Sequence, residues 1–313
     1  LKVIRAPLRI SLFGGGTDLD PFCTDVGSTI ISFAINRYIY LTWNDRPTGG
    51  CRLSYSQVEE LDTLRDAQHT LVHEIAASGE LSGPCTMTIV SDVPKGTGLG
   101  SSSALAVTLA KLAHPTFIGE VLVRAAGRIE RAHSHAGWQD YLPAVYGGFN
   151  TYHINGRMMD KSLGGISITS ISTDMRDVIN TYGLLLYTGA SRRADAVLPA
   201  WKKDENKLLE IKALADEVAE RVNSLDLDEL GNYLDCTWTL KRVIGDVSSP
   251  VLNRQYAMAK LNGAIGGKLL GAGSGGCWFF LVSRKARERL VDALDLREIP
   301  FHVVEKGVEV WEH

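Results

Sequence analysis

The sequence is poor in the features that mark several large classes of protein, and each shortage narrows what the chain does. Its five cysteines, Cys23, Cys51, Cys85, Cys236 and Cys277, are scattered, odd in number and never spaced Cys-x-x-Cys. That spacing argues against a disulfide framework and against a zinc site, so a reducing compartment is expected. No apolar run reaches the length of a membrane span, and the amino end lacks the charged-then-apolar layout of a leader. A soluble, cytoplasmic protein with no membrane partner is therefore expected. Basic runs are missing too, and with a net charge of −3 the chain is not expected to bind nucleic acid. What remains is ordinary globular composition, 45% hydrophobic and 22% charged over 313 residues, long enough for two domains.

Glycine, by contrast, is abundant and clustered. Ser91-Asp-Val-Pro-Lys-Gly-Thr-Gly-Leu-Gly-Ser-Ser-Ser-Ala104 places Gly96, Gly98 and Gly100 alternately and then opens into an apolar helix through Leu105, Val107, Leu109 and Leu112. Glycines of this kind let successive backbone N–H groups turn toward an anion, and the helix start adds unpartnered N–H groups and a partial positive charge. The stretch Lys95–Ser103, with Leu99 between the glycines, is therefore a candidate phosphate cradle. It is not a P-loop, since Gly100 is followed by serine and Lys95 precedes the glycines, and strict alternation breaks the dinucleotide-binding spacing. A flexible glycine-serine connector would not run straight into an apolar helix.

Along the chain, Val3–Leu12 alternates as a strand with Leu8, Ile10 and Leu12 on one face and Arg9 on the other, away from the core. A second glycine turn follows, Phe13-Gly-Gly-Gly-Thr-Asp18. Strands are expected at 29–35, 38–43, 51–55 and 85–90, and helices at 61–78 and 118–130. His69 and His73 stand four apart on the first of these helices, a spacing that suits packing better than a metal because no His-Glu-x-x-His surrounds them. Gly137-Trp-Gln-Asp140 and Tyr146-Gly-Gly-Phe-Asn150 read as a glycine-punctuated loop. Beyond 181 the chain alternates strands and helices, with helices over 208–222, 227–244, 251–264 and 284–294 and a third glycine-rich stretch, Gly266–Gly276.

Phosphate binding alone is not chemistry; transfer needs a metal, ligands for it and a group that orients the attacking hydroxyl. A serine at the helix start and Glu130 offer hard oxygen ligands for magnesium, Asp140 could take a proton, and Arg9 could offset charge on a transferred phosphoryl. Singly, Glu130 reads as a helix-surface carboxylate, Asp140 as a turn former and Arg9 as a strand-face ion pair. Their occurrence together with the glycine loops favours the chemical reading.

Three stretches in order, Ala6-Pro-Leu-Arg-Ile-Ser-Leu-Phe-Gly-Gly-Gly-Thr-Asp18, Pro94-Lys-Gly-Thr-Gly-Leu-Gly-Ser-Ser-Ser-Ala104 and Lys268-Leu-Leu-Gly-Ala-Gly-Ser-Gly-Gly276, resemble the three motifs of the GHMP small-molecule kinases across nearly the whole chain. Gly14–Asp18, Gly137–Asp140 with Gly147–Asn150, and Leu186–Arg192 further resemble the sugar 1-kinase branch acting on D-glycero-D-manno-heptose 7-phosphate. The resemblance implies an α+β, two-domain GHMP kinase fold: an amino half, residues 1–175, like the second domain of ribosomal protein S5, and a ferredoxin-like carboxyl half, residues 176–313, with ATP and sugar in the cleft between them. It also implies ATP and Mg²⁺ as cofactors, with Ser102 and Glu130 holding the metal and Asp140 as base. Lys95, Gly96, Gly98, Leu99, Gly100, Ser101, Ser102 and Ser103 would hold the ATP phosphates. Arg9 would lie near the transferred phosphoryl, and Gly15, Gly16, Thr17, Asp18, Gln139, Gly273 and Arg192 would line the sugar site. One departure is that His133-Ser-His135 stands where the family has a more glycine-rich loop. The expected partners are a sugar or sugar phosphate and, in assembly, a second copy of the chain. Another hexose as acceptor and a non-catalytic sensor of sugar and ATP stay open, although a sensor has no need of both Glu130 and Asp140.

Overall fold

The computed structural model describes residues 1–159, 164–189, 204–244 and 247–312. The chain opens with β1 (Lys2–Phe13), the short α1 (Phe22–Val26) and β2 (Ser28–Asp45), an 18-residue strand that runs unbroken through Asn36-Arg37, where a joint between two strands is expected from the sequence. Next come β3 (Cys51–Ser54), β4 (Val58–Leu61), a 3₁₀ turn at Leu64–Asp66 and α2 (Thr70–Ala77). The helix expected over 61–78 is thus halved, its first part being a strand edge and a turn capped by Thr63 and Asp66. After β5 (Cys85–Ser91) follow α3 (Ser101–Ala113), α4 (Gly119–Arg131) and α5 (Trp138–Tyr146).

The sequence loop at 137–150 is in fact largely helix. Gly137 and Gly147 bound α5, and Pro143 sits inside it, so the residues that punctuate the sequence mark its ends. The chain continues with β6 (Phe149–Ile154), α6 (Gly156–Met159), β7 (Ile166–Ser170), α7 (Thr173–Tyr182) and β8 (Gly183–Tyr187). Then come α8 (Glu205–Arg221), α9 (Leu227–Val243), α10 (Pro250–Leu261), β9 (Ala264–Leu269), β10 (Cys277–Val282), α11 (Arg284–Leu294), β11 (Arg297–Glu298) and β12 (Glu309–Glu312). Polar caps fix several starts: Asp226 accepts from Glu229 N–H while Glu229 reaches back to Asp226 N–H, and Ser249 precedes Pro250 at the first turn of α10.

Two sheets result. The larger has eight strands ordered β12-β1-β2-β5-β3-β4, with β6 joined to β2 and β7 to β6; the smaller is antiparallel, β11-β8-β10-β9. The chain ends by returning to its beginning, Trp311 pairing with Val3. Helices α3 and α5 cover one face of the large sheet, and the other face meets the carboxyl half, where Phe33 sits edge-on to Phe149 at 5.1 Å and to Phe279 of the small sheet at 6.2 Å. β1 is consequently buried on both faces from Ala6 to Phe13. Behind the small sheet a second apolar cluster gathers around Trp238 and Trp278, whose rings meet edge to face at 5.1 Å. Among the described residues no helix is long and apolar enough to cross a membrane.

Candidate active site

The loop between β5 and α3 is shaped by contacts that exclude side chains. Gly96, Gly98 and Gly100 take φ of 79°, 73° and 75°, a region that disfavours any residue with a Cβ. At Gly98 a Cβ would also stand 2.8 Å from the Leu270 carbonyl oxygen, and one at Gly271 would stand 2.7 Å from the Gly98 Cα. The third glycine stretch therefore packs backbone to backbone on the loop. Leu99 is buried and its carbonyl accepts the Arg9 N–H at 3.0 Å, which sews the loop to β1. Lys95 and Ser102 are exposed, Gly96 and Ser101 half-buried, and Ser103 buried. The first N–H groups of α3 thus face an opening rimmed by serine.

Arg9 is 4% exposed, which corrects the expectation that it faces away from the core. Its strand has no solvent face, so alternation here separates two buried faces. Nη1 donates to the Gly98 carbonyl at 2.5 Å, and Nε donates to Asp140 Oδ1 at 2.9 Å with Nη2 bonded to the same oxygen. Asp140 Oδ2 takes neither bond, and the side chain is 18% exposed in the first turn of α5. The result is a carboxylate with one oxygen fixed by a buried guanidinium and the other free to turn to the opening.

Glu130 lies in the last turn of α4, beside the stripe made by Leu122, Ala125 and Ile129, and is buried facing the start of α3. It accepts from Ser103 Oγ at 2.5 Å. Burial pushes its carboxyl up from the ordinary value; the Ser102 and Ser103 hydroxyls oppose that, and the negative Asp140 adds to it.

The second glycine turn is built differently. Gly14 at φ 80° presses on the Thr29 carbonyl, where a Cβ would lie 1.8 Å from the oxygen. Thr17 and Asp18 are fully buried. The Thr17 hydroxyl bonds the Gly14 carbonyl at 2.7 Å and the Ser28 hydroxyl at 2.6 Å. Asp18 Oδ1 accepts from Gly16 N–H and Gln139 Nε2, both at 3.1 Å, and Oδ2 accepts from Gln139 N–H at 2.8 Å. Burial raises the Asp18 carboxyl from 3.8 to about 6, with those backbone donors opposing it and Asp140 adding to it. Gly137 must be glycine because its Cβ would fall 2.0 Å from Asp18 Oδ2. Gln139 is half-buried and its Oε1 passes Gly15, which is also half-buried. The partly exposed residues on this side are Gly15, Gln139 and Asp140.

Of the other expected site residues, Gly273 packs on Val247, where a Cβ would stand 2.6 Å from that side chain. Arg192 lies outside the described residues. His73 Nδ1 bonds the Arg65 carbonyl at 2.7 Å and His133 meets Glu74 at 2.6 Å; among the described residues no three metal-ligating side chains gather. Two residues beside the site are not singled out from the sequence: Lys241 on α9, whose Nζ donates to the carbonyls of Leu269 and Gly271, and Lys268 on β9, whose Nζ donates to the carbonyl of Leu12. Lys268 stands inside the third glycine stretch, where the glycines draw attention away from it.

Comparison with known proteins agrees with this geometry. Residues 65–148 match the GHMP kinases N terminal domain and residues 212–298 the GHMP kinases C terminal. A D-glycero-alpha-D-manno-heptose 7-phosphate kinase from Campylobacter jejuni is 29% identical, the alignment covering 99% of each chain. Among solved structures, a putative sugar kinase from Campylobacter jejuni superposes with a TM-score of 0.76 at 26% identity over 99% of this chain and 98% of that one. A D-glycero-D-manno-heptose 1-phosphate kinase from Bacteroides thetaiotaomicron superposes with a TM-score of 0.77 at 22% identity, covering 100% of this chain and 99% of that one, and shares the fold. The phosphate-shaped loop, the serine–glutamate pair behind it and the two matched domains lead to one conclusion: the chain belongs to the GHMP kinases, phosphotransferases that use ATP as phosphate donor.

Proposed function

We propose that the chain is a cytoplasmic sugar 1-kinase that phosphorylates the anomeric hydroxyl of D-glycero-D-manno-heptose 7-phosphate, giving the 1,7-bisphosphate for nucleotide-activated heptose and surface polysaccharide. Similarity along the whole chain to the Campylobacter heptose 7-phosphate kinase supports the acceptor. The observation that carries the chemistry is the partly exposed Asp140 carboxylate, one oxygen fixed by the same Arg9 side chain that bonds the Gly98 carbonyl of the phosphate loop and the other outside that pair. Asp140 takes the proton of the anomeric hydroxyl as its oxygen bonds to the γ-phosphorus, and the bond to the bridging oxygen of ADP breaks. Arg9, tied to both Asp140 and the Gly98 carbonyl, keeps base and donor loop in register and offsets charge on the moving phosphoryl.

The residues fit magnesium: Glu130 is a buried carboxylate beside serine hydroxyls and the negative Asp140, so a cation there relieves the strain that burial puts on its charge. Glu130 with Ser102 would hold the ion, which when bound neutralises phosphate charge. Gly15 and Gln139 form the wall against which the sugar would lie, Gln139 presenting its carboxamide while buried Asp18 holds it in place from behind.

The test is ADP release with Mg²⁺ and ATP across mannoheptose 7-phosphate, unphosphorylated mannoheptose, fucose, galactose and mevalonate. Turnover confined to the 7-phosphate is expected. Preference for a neutral sugar moves the acceptor assignment to another hexose and keeps the mechanism, and nucleotide binding with no ADP from any of them overturns the catalytic reading.

A further inference from the structure

Three basic side chains converge where the two sheets meet behind the phosphate loop. Arg9 of β1, Lys241 of α9 and Lys268 of β9 are 4%, 4% and 5% exposed. Lys241 Nζ donates to Leu269 O at 2.9 Å and to Gly271 O at 2.6 Å, and Gly271 is the residue that lies on Gly98. Lys268 Nζ crosses from the small sheet to the large one and donates to Leu12 O at 2.7 Å. Leu12 is the penultimate residue of β1, the strand that carries Arg9, two residues before Gly14 opens the acceptor turn. One side chain thus touches the point where Arg9's strand becomes the acceptor turn, and its own strand leads directly to the glycines packed on the phosphate loop.

A buried ammonium bonded to a single carbonyl is costly unless an anion lies near. No described carboxylate pairs with Lys268, and Asp140 is already bonded to Arg9. We propose that Lys268 is a positioning residue for phosphoryl transfer: its ammonium ties the Leu12 end of the Arg9 strand to the third glycine stretch, registering the acceptor turn against the phosphate loop when an anion fills that loop. The inference rests on Gly96–Ser103 as the site of the nucleotide phosphates and is independent of which sugar is used.

The electrostatics give it a signature. Burial first, and the positive Arg9 second, pull the Lys268 ammonium down from 10.5 to about 7. Burial also lowers Lys241, with Lys268 and Arg9 adding to the effect. Phosphates arriving in the loop raise the affinity of Lys268 for its proton, so above neutrality nucleotide binding must draw a proton from solution.

The experiment is calorimetric titration of the full chain with MgADP, whose phosphates stay ionised across the range, in buffers of different ionisation enthalpy. The wild type is expected to take up a fraction of a proton that rises from about pH 6 to about pH 8 toward one per nucleotide. Lys268→Met, which removes charge and donor at nearly constant volume, is expected to abolish the uptake. In the same variant kcat falls about 10- to 100-fold with the acceptor KM within about threefold, while the cooperative melt is retained. A decline of kcat/KM for ATP is expected in the wild type as pH rises through about 7, and Lys268→Met should lose it. Uptake that is flat in the wild type, or undiminished in Lys268→Met, overturns the proposal. Should the methionine variant fail to fold, the wild-type uptake curve decides alone.

Discussion

The two glycine turns flanking the opening use the same residue for opposite ends. In the phosphate loop, glycine is demanded by what presses from behind: Gly98 lies on Leu270 and Gly100 on the Arg9 side chain, 3.2 Å from a would-be Cβ. Backbone N–H groups are left pointing forward, and the side chains at the rim, Ser101 and Ser102, are short and reachable. In the acceptor turn the side chains do the internal work. The Thr17 and Asp18 side chains spend their hydrogen bonds on Gly14, Ser28, Gly16 and Gln139, so they form a scaffold behind the surface that a sugar would meet. A donor with uniform anionic groups is matched by a backbone cradle; an acceptor with distinct hydroxyls needs a wall whose few exposed groups are held still from behind.

The largest effect is expected where the two turns meet. Asp140→Asn removes the base and leaves buried Arg9 facing an uncharged amide. Turnover should fall on the order of 10³-fold while MgADP affinity, measured by calorimetry, changes less than about threefold. Near-full turnover in that variant would remove Asp140 from the chemistry and with it the link between the turns. On the donor side, Gly98→Ala meets both a φ of 73° and the Leu270 carbonyl, so an unfolding cost of about 2–4 kcal/mol is expected, with nucleotide affinity lowered at least about 10-fold. An alanine variant with wild-type melting and wild-type affinity would mean that the loop does not need its close backbone contact.

How far these groups were legible in the sequence follows from the same physics. The phosphate loop could be read because a backbone cradle requires glycine at particular positions, and glycine is visible in a sequence. The burial of Arg9 could not, because β1 is covered by α3 and α5 on one face and by the carboxyl half on the other, and alternation marks faces without saying what covers them. Helix α5 was hidden by its boundary glycines, Gly137 and Gly147, and by Pro143 inside it, which together read as loop. Strand β9 was hidden likewise: Gly266 presses on the Gly231 carbonyl of α9 at 1.9 Å from a would-be Cβ and Gly267 on Phe280 of β10, so its glycines serve close packing and carry no strand signal. Thr17 and Asp18 were visible as polar residues beside glycine, yet whether a polar side chain faces a ligand or its own chain depends on Gln139 and Ser28, distant in sequence.

Asp18 gives the scaffold side of the comparison a thermodynamic test. Its carboxyl sits at about 6 in the folded chain against an ordinary 3.8. A raised carboxyl stabilises the fold while protonated, below about 3.8, and that contribution is lost as pH rises to about 6. The loss amounts to about 3 kcal/mol at most. Asp18→Asn lacks the titration and sets an amide against the Gln139 N–H, so it should be destabilising at low pH by an amount that shrinks as pH rises toward neutrality. Urea unfolding of both proteins at several pH values measures the difference, and a difference independent of pH would mean that Asp18 is solvated like a ligand-facing group.

The smallest effect distinguishes wall from scaffold most directly. Gly15 is not held in the left-handed region, and a Cβ there would meet only the flexible end of Gln139, 2.8 Å from Oε1. Gly15→Ala therefore should leave the melting temperature nearly unchanged while displacing the Gln139 carboxamide from the acceptor side. The expected result is an acceptor KM raised about 3- to 10-fold with ATP KM unmoved. Gly98→Ala should show the reverse split, affecting the donor. If Gly15→Ala instead lowers stability and leaves the acceptor KM alone, Gln139 belongs with Thr17 and Asp18 in the scaffold, and the surface that reads the sugar lies on the carboxyl half.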